Sequence, residues 1–368
     1  MQDLTTGSVT RHLLKTAGFM LVTMAFQTLY FLVDLYWVGR LGKEAVAGVG
    51  IAGNLTFIVL AVTQMLGVGV TSLVSHASGR KDRDTALLVF NESLLLSAIV
   101  GVLFLGVCMA IRLPYVDALG ADARTAAMAA DYLAWFIPAM ALQFAMVSMG
   151  AALRGTGNFK PGMIVQTASV ILNIVLAPVL IFGWGTGHAF GVAGAAISSL
   201  VAIGVGVVWM SFYFIGDHAY LRFVRRGWRP DVALWKKILG IGLPAGAEFG
   251  LMSVYLVIVY IVSRPFGSAA QAGFGIGMRV VQAGFMPIVA LGFGAAPVAG
   301  QNFGAGRPER VRATFRSAAM MAAAGMLLWT AACQLWGPPM VRFFSKDPAV
   351  VAVGAEYLHI VSWTFVAS

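Results

Sequence analysis

Residues 42–51 read GKEAVAGVGI, and residues 267–276 read GSAAQAGFGI. Gly42, Ala45, Ala47, Gly48, Gly50 and Ile51 return as Gly267, Ala270, Ala272, Gly273, Gly275 and Ile276, an offset of 225. Working outward, the same offset holds without a gap. It pairs Tyr30 with Tyr255, Gly67 and Gly69 with Gly292 and Gly294, and Gly79 with Gly304. Further along it pairs Cys108 with Cys333, Pro114 with Pro339, Asp122 with Asp347, and Tyr132-Leu133 with Tyr357-Leu358. A register kept over this distance marks an internal duplication.

The duplicated unit is written for a membrane. Of 368 residues, 59% are hydrophobic and 11% charged, and mean hydropathy is +0.84. A soluble domain carries about 25% charged residues. Ten apolar runs are long enough to approach the roughly 30 Å hydrocarbon core: 13–38, 45–75, 86–111, 125–150, 162–183, 192–215, 238–263, 268–301, 313–335 and 349–368. Each copy begins a six-helix unit. An even number of spans makes both copies enter from the same face, as parallel repeats related by an axis along the membrane normal.

The expected organisation is therefore all-α. A six-helix lobe fills 1–215, a cytoplasmic linker 216–237, and an incomplete second lobe with about four of its six helices 238–368. Twelve helices are expected and about ten are present, so roughly 80 residues are expected beyond Ser368.

The net charge of +10 would suggest nucleic acid in a soluble protein. Here the basic residues lie between apolar runs. Counted by loop, about 17 of the 25 Lys and Arg fall on the side of the N-terminus and about 7 on the other. This places the N-terminus in the cytoplasm of a multi-pass protein of the bacterial inner membrane, with no nucleic-acid partner. Cys108 and Cys333 sit inside apolar runs, and the five histidines show no ligand spacing. No disulfide framework, metal site, cofactor site or nucleophile–base pair is expected, hence no enzyme.

Charges inside the spans are costly and usually face a cavity or a partner. Asp34 lies late in the first span, with Gln27 and Tyr30 at i−7 and i−4 on the same helical face. It is either wetted at the outer interface or an acid lining a water-filled lobe. Glu248 and Arg279 reach similar depth from opposite faces. They are a buried ion pair in the second lobe, or Glu248 is a second coupling acid, or neither role holds. Their repeat partners are Thr23 and Asn54, and that of Asp34 is Val259, so these charges are not shared scaffold. Asn173 needs a partner in the fifth span, and Ser198 and Ser199 are adjacent candidates.

Several segments together resemble one family. Gln27-Thr28-Leu29-Tyr30, Val33-Asp34 and Val38-Gly39-Arg40-Leu41-Gly42 resemble the first-helix signature of the multidrug and toxic compound extrusion (MATE) transporters. Ser78-Gly79-Arg80-Lys81-Asp82 and Gly304-Ala305-Gly306-Arg307-Pro308-Glu309 look like that family's paired loops. Arg154-Gly155-Thr156-Gly157-Asn158, and Asn173 followed by Pro178, also fit.

The resemblance implies two six-helix lobes and export driven by inward H⁺ or Na⁺ flow. It makes Asp34 the coupling acid, with Asn173 and the hydroxyl of Ser199 as neighbours. An aspartate of the family pattern is replaced by Ala177. Losing a carboxylate weakens an oxygen-ligand cation site, which favours H⁺ over Na⁺. Glu248 matches the helix-7 acid of some members only loosely. The expected partners are a small organic substrate, a coupling cation and the lipid bilayer, and the expected state is a monomer. The reading is an antiporter for cationic or amphipathic compounds. A flippase for lipid-linked precursors is the alternative, weakened because Arg279 is the lone intramembrane cation of this reading.

Overall fold

The computed structural model describes residues 1–120, 122–185, 187–216, 219–224 and 230–366, apart from the side chains of residues 253, 257, 260, 264 and 268. Arg225, Arg226 and Arg229 of the linker, and the side chain of Arg264, lie outside the described residues. The described residues form ten α-helices: α1 (Val9–Gly39), α2 (Lys43–Gly79), α3 (Arg83–Leu119), α4 (Ala123–Gly155), α5 (Phe159–Phe182), α6 (Val192–Ile215), α7 (Val232–Ser263), α8 (Gly267–Gly304), α9 (Pro308–Arg342) and α10 (Pro348–Val361).

Among the described residues, nine helices are long and apolar enough to cross a membrane. The tenth expected span, 349–368, is not one of them. α10 has 14 residues and gives way to a 3-10 turn at Ser362–Thr364. The linker is also shorter than the charge run suggests. Lys236 and Lys237 sit inside the first turns of α7 rather than before it, because a helix continues past the hydrocarbon edge where its long basic side chains meet headgroups. α2 and α3 have 37 residues each. At 1.5 Å per residue they run about 55 Å, well beyond the hydrocarbon core.

Local chemistry sets the helix starts. Asp82 accepts from the Thr85 amide (3.0 Å), Asp122 from the Thr125 amide (2.8 Å) and Asp347 from the Ala349 amide (2.9 Å). Each fills an orphan donor at an N-terminus. Asp122 and Asp347 are repeat partners, so the duplication has kept a cap. α9 bends at Trp336 (φ −123°, ψ 17°), just before Pro338 and Pro339, which cannot donate to the preceding turn.

The packing obeys the repeat. Within the first lobe α2 packs on α4 and α3 on α4, as α8 does on α10 and α9 on α10 in the second. Between lobes α1 packs on α8 and α7 on α2, while α2 and α8 cross each other. Exchanging the first helices for their repeat partners maps this pattern onto itself. The crossing shows the pseudo-two-fold directly. A Cβ at Gly79 would run into the Gln301 carbonyl, and a Cβ at Gly304 into the His76 carbonyl. Gly79 with Gly304, and His76 with Gln301, are repeat partners. Gly300 meets Ser75, its own partner, so the axis passes between them. Ser75–Gly79 and Gly300–Gly304 are small-xxx-small pairs, the pattern that lets membrane helices approach backbone to backbone.

Two cores result. One fills the first lobe around Leu66, Phe90, Leu133 and Phe144, and the other joins Val280, Met326, Cys333 and Leu358. A third, smaller cluster of Leu4, Leu13, Leu291 and Val298 bridges the lobes. The lobes meet at the end carrying the N-terminus and the 80–82 and 305–307 loops. Thr16 Oγ1 donates to the Gly294 carbonyl (3.1 Å), and Gly69, Gly242 and Gly246 let α2 and α7 touch. The other ends of α1 and α7 are open instead. Phe31, Leu32, Leu35 and Tyr36, and Leu251, Ile258, Ile261 and Val262, are all more than half exposed.

Candidate functional site in the first lobe

A cavity of about 450 Å³ opens inside the first lobe among α1, α2, α4, α5 and α6. Successive turns of α1 deliver Gln27, Tyr30 and Asp34 to it; α5 contributes Gln166, Ser169 and Asn173; α6 contributes Ser199. The remaining wall is apolar and aromatic, including Tyr132, Phe136, Met140 and Met146 from α4. A concave apolar pocket with a few convergent polar groups is the usual form of a small-molecule site.

Tyr30, Asn173, Ser198 and Ser199 form one network, and Asp34 stands outside it. Asn173, 3% exposed, donates from Nδ2 to the hydroxyls of Ser198 (3.1 Å) and Ser199 (3.2 Å). Both hydroxyls donate to the Ala195 carbonyl, at 2.7 and 3.1 Å. Ser199 Oγ also lies 2.8 Å from Tyr30 Oη, which ties α6 to α1 one turn before Asp34. Asp34 itself is 9% exposed, and its Oδ1 has no hydrogen-bond partner. A carboxyl group without a partner in a nearly closed apolar lobe is costly if charged. A proton, a water molecule or a cation entering the cavity would satisfy it.

The structure thus brings together Gln27, Tyr30, Asp34, Asn173 and Ser199. It does not bring together Glu248 and Arg279. Both are exposed and no ion pair joins them, so the buried pair expected in the second lobe is absent. In the first lobe α1 leans on α5; α7 has no such neighbour among the described residues, and its half beyond Gly246 is largely exposed. Ala177, at the position where the resemblance expects a carboxylate, is fully buried one turn after Asn173. Among the described residues no group of His, Cys, Asp and Glu is placed to hold a metal ion.

Sequence reasoning missed three lining residues. Gln143 and Gln166 carry the signal of an uncharged amide inside an apolar span, which is nearly as telling as an acid. Tyr132 is disguised by the repeat. Its partner Tyr357 packs on Phe274 and donates to the Met278 sulfur (3.0 Å), so the pair reads as scaffold although the first copy faces the cavity.

The family model MatE matches residues 20–179 and 244–368. The chain belongs to the MatE family. It is a multi-pass membrane transporter and not an enzyme. It is 25% identical to the FAD transporter of Shewanella oneidensis over 88% of this chain and 71% of that protein. The multidrug export protein MepA of Staphylococcus haemolyticus is also 25% identical, over 93% of this chain and 75% of that protein. Among solved structures, an outward-facing multidrug resistance MATE transporter of the MOP superfamily superposes with a TM-score of 0.88 at 26% identity, covering 99% of this chain and 80% of that one. The solved structure shares this chain's fold, and the multidrug names among these relatives point to efflux of small organic molecules.

Proposed function

We propose that this transporter is a secondary antiporter that exports cationic or amphipathic organic compounds in exchange for inward cation flow, with H⁺ favoured over Na⁺. The observation that carries the reading is Asp34, unpartnered at the wall of the first-lobe cavity. One carboxylate among neutral oxygens suits competition between a proton and an organic cation. Na⁺ prefers more oxygen charge than this site offers. The aromatic and methionine walls suit varied apolar bodies. The N-terminus is cytoplasmic on the loop charges, so lobes joined at that end and apart at the other describe an outward-facing state. Alternating access moves the lobes about the α2–α8 crossing. The localisation that follows is the bacterial inner membrane.

A second reading has one observation in its favour. A smaller cavity between the lobes, about 350 Å³, is lined by Arg154, whose guanidinium has no acidic partner among the described residues. An organic anion could supply that charge, as the named cargo of the Shewanella relative would. One assay separates the readings. In everted vesicles carrying the full-length protein, an imposed pH gradient drives uptake of a lipophilic cation, a Na⁺ gradient does not, and Asp34→Asn abolishes uptake while expression and insertion stay normal. Wild-type uptake by Asp34→Asn, or uptake of a phosphate-bearing dye in place of the cation, overturns the first reading.

A further inference from the structure

The residues before α1 are built into the molecule rather than trailing from it. Gln2 N donates to the Thr156 carbonyl (2.9 Å) at the α4–α5 turn of the first lobe. Gly157 (φ +76°) makes room for this contact, since a Cβ there would lie 2.7 Å from the Gln2 carbonyl oxygen. The chain then crosses to the second lobe. Leu4 N donates to Gln301 Oε1 (3.0 Å), and Asn302 Nδ2 donates to the Leu4 carbonyl (3.2 Å). Arg307 Nη1 donates to the Thr5 carbonyl (2.6 Å), and Arg310 Nη2 to the Gly7 carbonyl (3.0 Å). Asp3 accepts from the Thr5 amide (2.8 Å) and hydroxyl (2.6 Å), which fixes the turn in between. Leu4 is fully buried against Leu13, Leu291 and Val298.

Gln301 joins all three parts. While its Oε1 accepts from Leu4, its Nε2 donates to the Gly155 carbonyl of the first lobe (3.1 Å). Apart from the Asp3 carboxylate and the Thr5 hydroxyl, which bond to each other, every acceptor or donor on the crossing segment named here is backbone, so the contacts position the chain itself. They lie at the end where the lobes meet. Four bonds hold the segment to the second lobe and one holds it to the first.

We infer that residues 2–7 are a strap that clasps the two lobes at the cytoplasmic end and sets how readily that end opens. Opening peels the strap and Gln301 from the 155–157 turn while both stay with the second lobe. The inference rests on the alternating-access reading above. A buried hydrogen bond is worth about 1 kcal/mol, or roughly fivefold in a population. Loss of the two bonds to the first lobe therefore shifts the open population by about tenfold or more.

The test is a distance distribution between spin labels at Lys160→Cys and Glu309→Cys, both exposed and one on each lobe, after replacing Cys108 and Cys333 with Ala, in lipid nanodiscs. Two variants are compared with the parent. Gln301→Ala removes the bridge, and deletion of residues 2–6 removes the strap without touching a helix. Each removes one of the two bonds to the first lobe and is expected to raise the long-distance population about fivefold while the protein stays monodisperse. If the parent changes distance with pH or substrate but the deletion matches it, the strap is refuted and alternating access stands. If no sample ever shows a second distance, both are refuted.

Discussion

At the scale of single residues, the first-lobe network divides its work unequally. Tyr30 gives one bond to Ser199, and Ser199 keeps Asn173 and the Ala195 carbonyl when that bond is lost. Interhelical hydrogen bonds in membranes average about 0.6 kcal/mol, so Tyr30→Phe should cost about that. Asn173→Ala removes two donated bonds and leaves a small hole, for roughly 1–2 kcal/mol. Thermal unfolding in mild detergent checks the order; a larger loss from Tyr30→Phe would contradict the network. Asp34, Asn173 and the Ser198–Ser199 pair are legible in sequence because polar groups inside apolar spans demand partners. The Glu248–Arg279 pair reads equally well on depth alone. Depth does not reveal azimuth, and the structure leaves both side chains exposed and unpaired with each other.

At the scale of elements, helix existence is legible and helix packing is not. Apolar runs locate nine spans, and the offset of 225 aligns Gly79 with Gly304. Nothing in one dimension says that each of them touches the other's helix. That contact makes a prediction. A Cβ at Gly79 or Gly304 overlaps a backbone carbonyl across the pseudo-axis, whereas Gly292, also on α8, has nothing near its Cβ direction. Gly79→Ala and Gly304→Ala should each lower the unfolding temperature, by similar amounts corresponding to about 1–3 kcal/mol of overpacking. Gly292→Ala should leave it unchanged or raise it slightly. Unequal effects at the two paired sites would argue against a symmetric crossing. The tenth span illustrates the limit of hydropathy: the apolar run 349–368 is long enough, yet the regular helix ends at Val361.

At the scale of the whole molecule, the duplication read from residues 42–51 and 267–276 carries most of the architecture. It predicts parallel lobes, and the reciprocal packing of α1 on α8 and α7 on α2 follows the same exchange. The strap was illegible because residues 2–7 are short, mixed in character and without periodicity; their partners lie about 300 residues away. The copies differ where function concentrates. The first lobe holds an acid at the wall of a cavity, while the position paired with Asp34 is Val259. On the proposed reading, coupling belongs to the first lobe and closure to the contact between both. If a proton and an organic cation compete for Asp34, each must weaken the other's binding by the same factor. Calorimetric titration of a lipophilic cation in two buffers of different ionisation enthalpy counts the protons displaced. The account predicts release of up to about one proton per cation bound to the wild type near neutral pH, and none from Asp34→Asn. Equal release from both proteins, or cation binding without release at any pH, would contradict it.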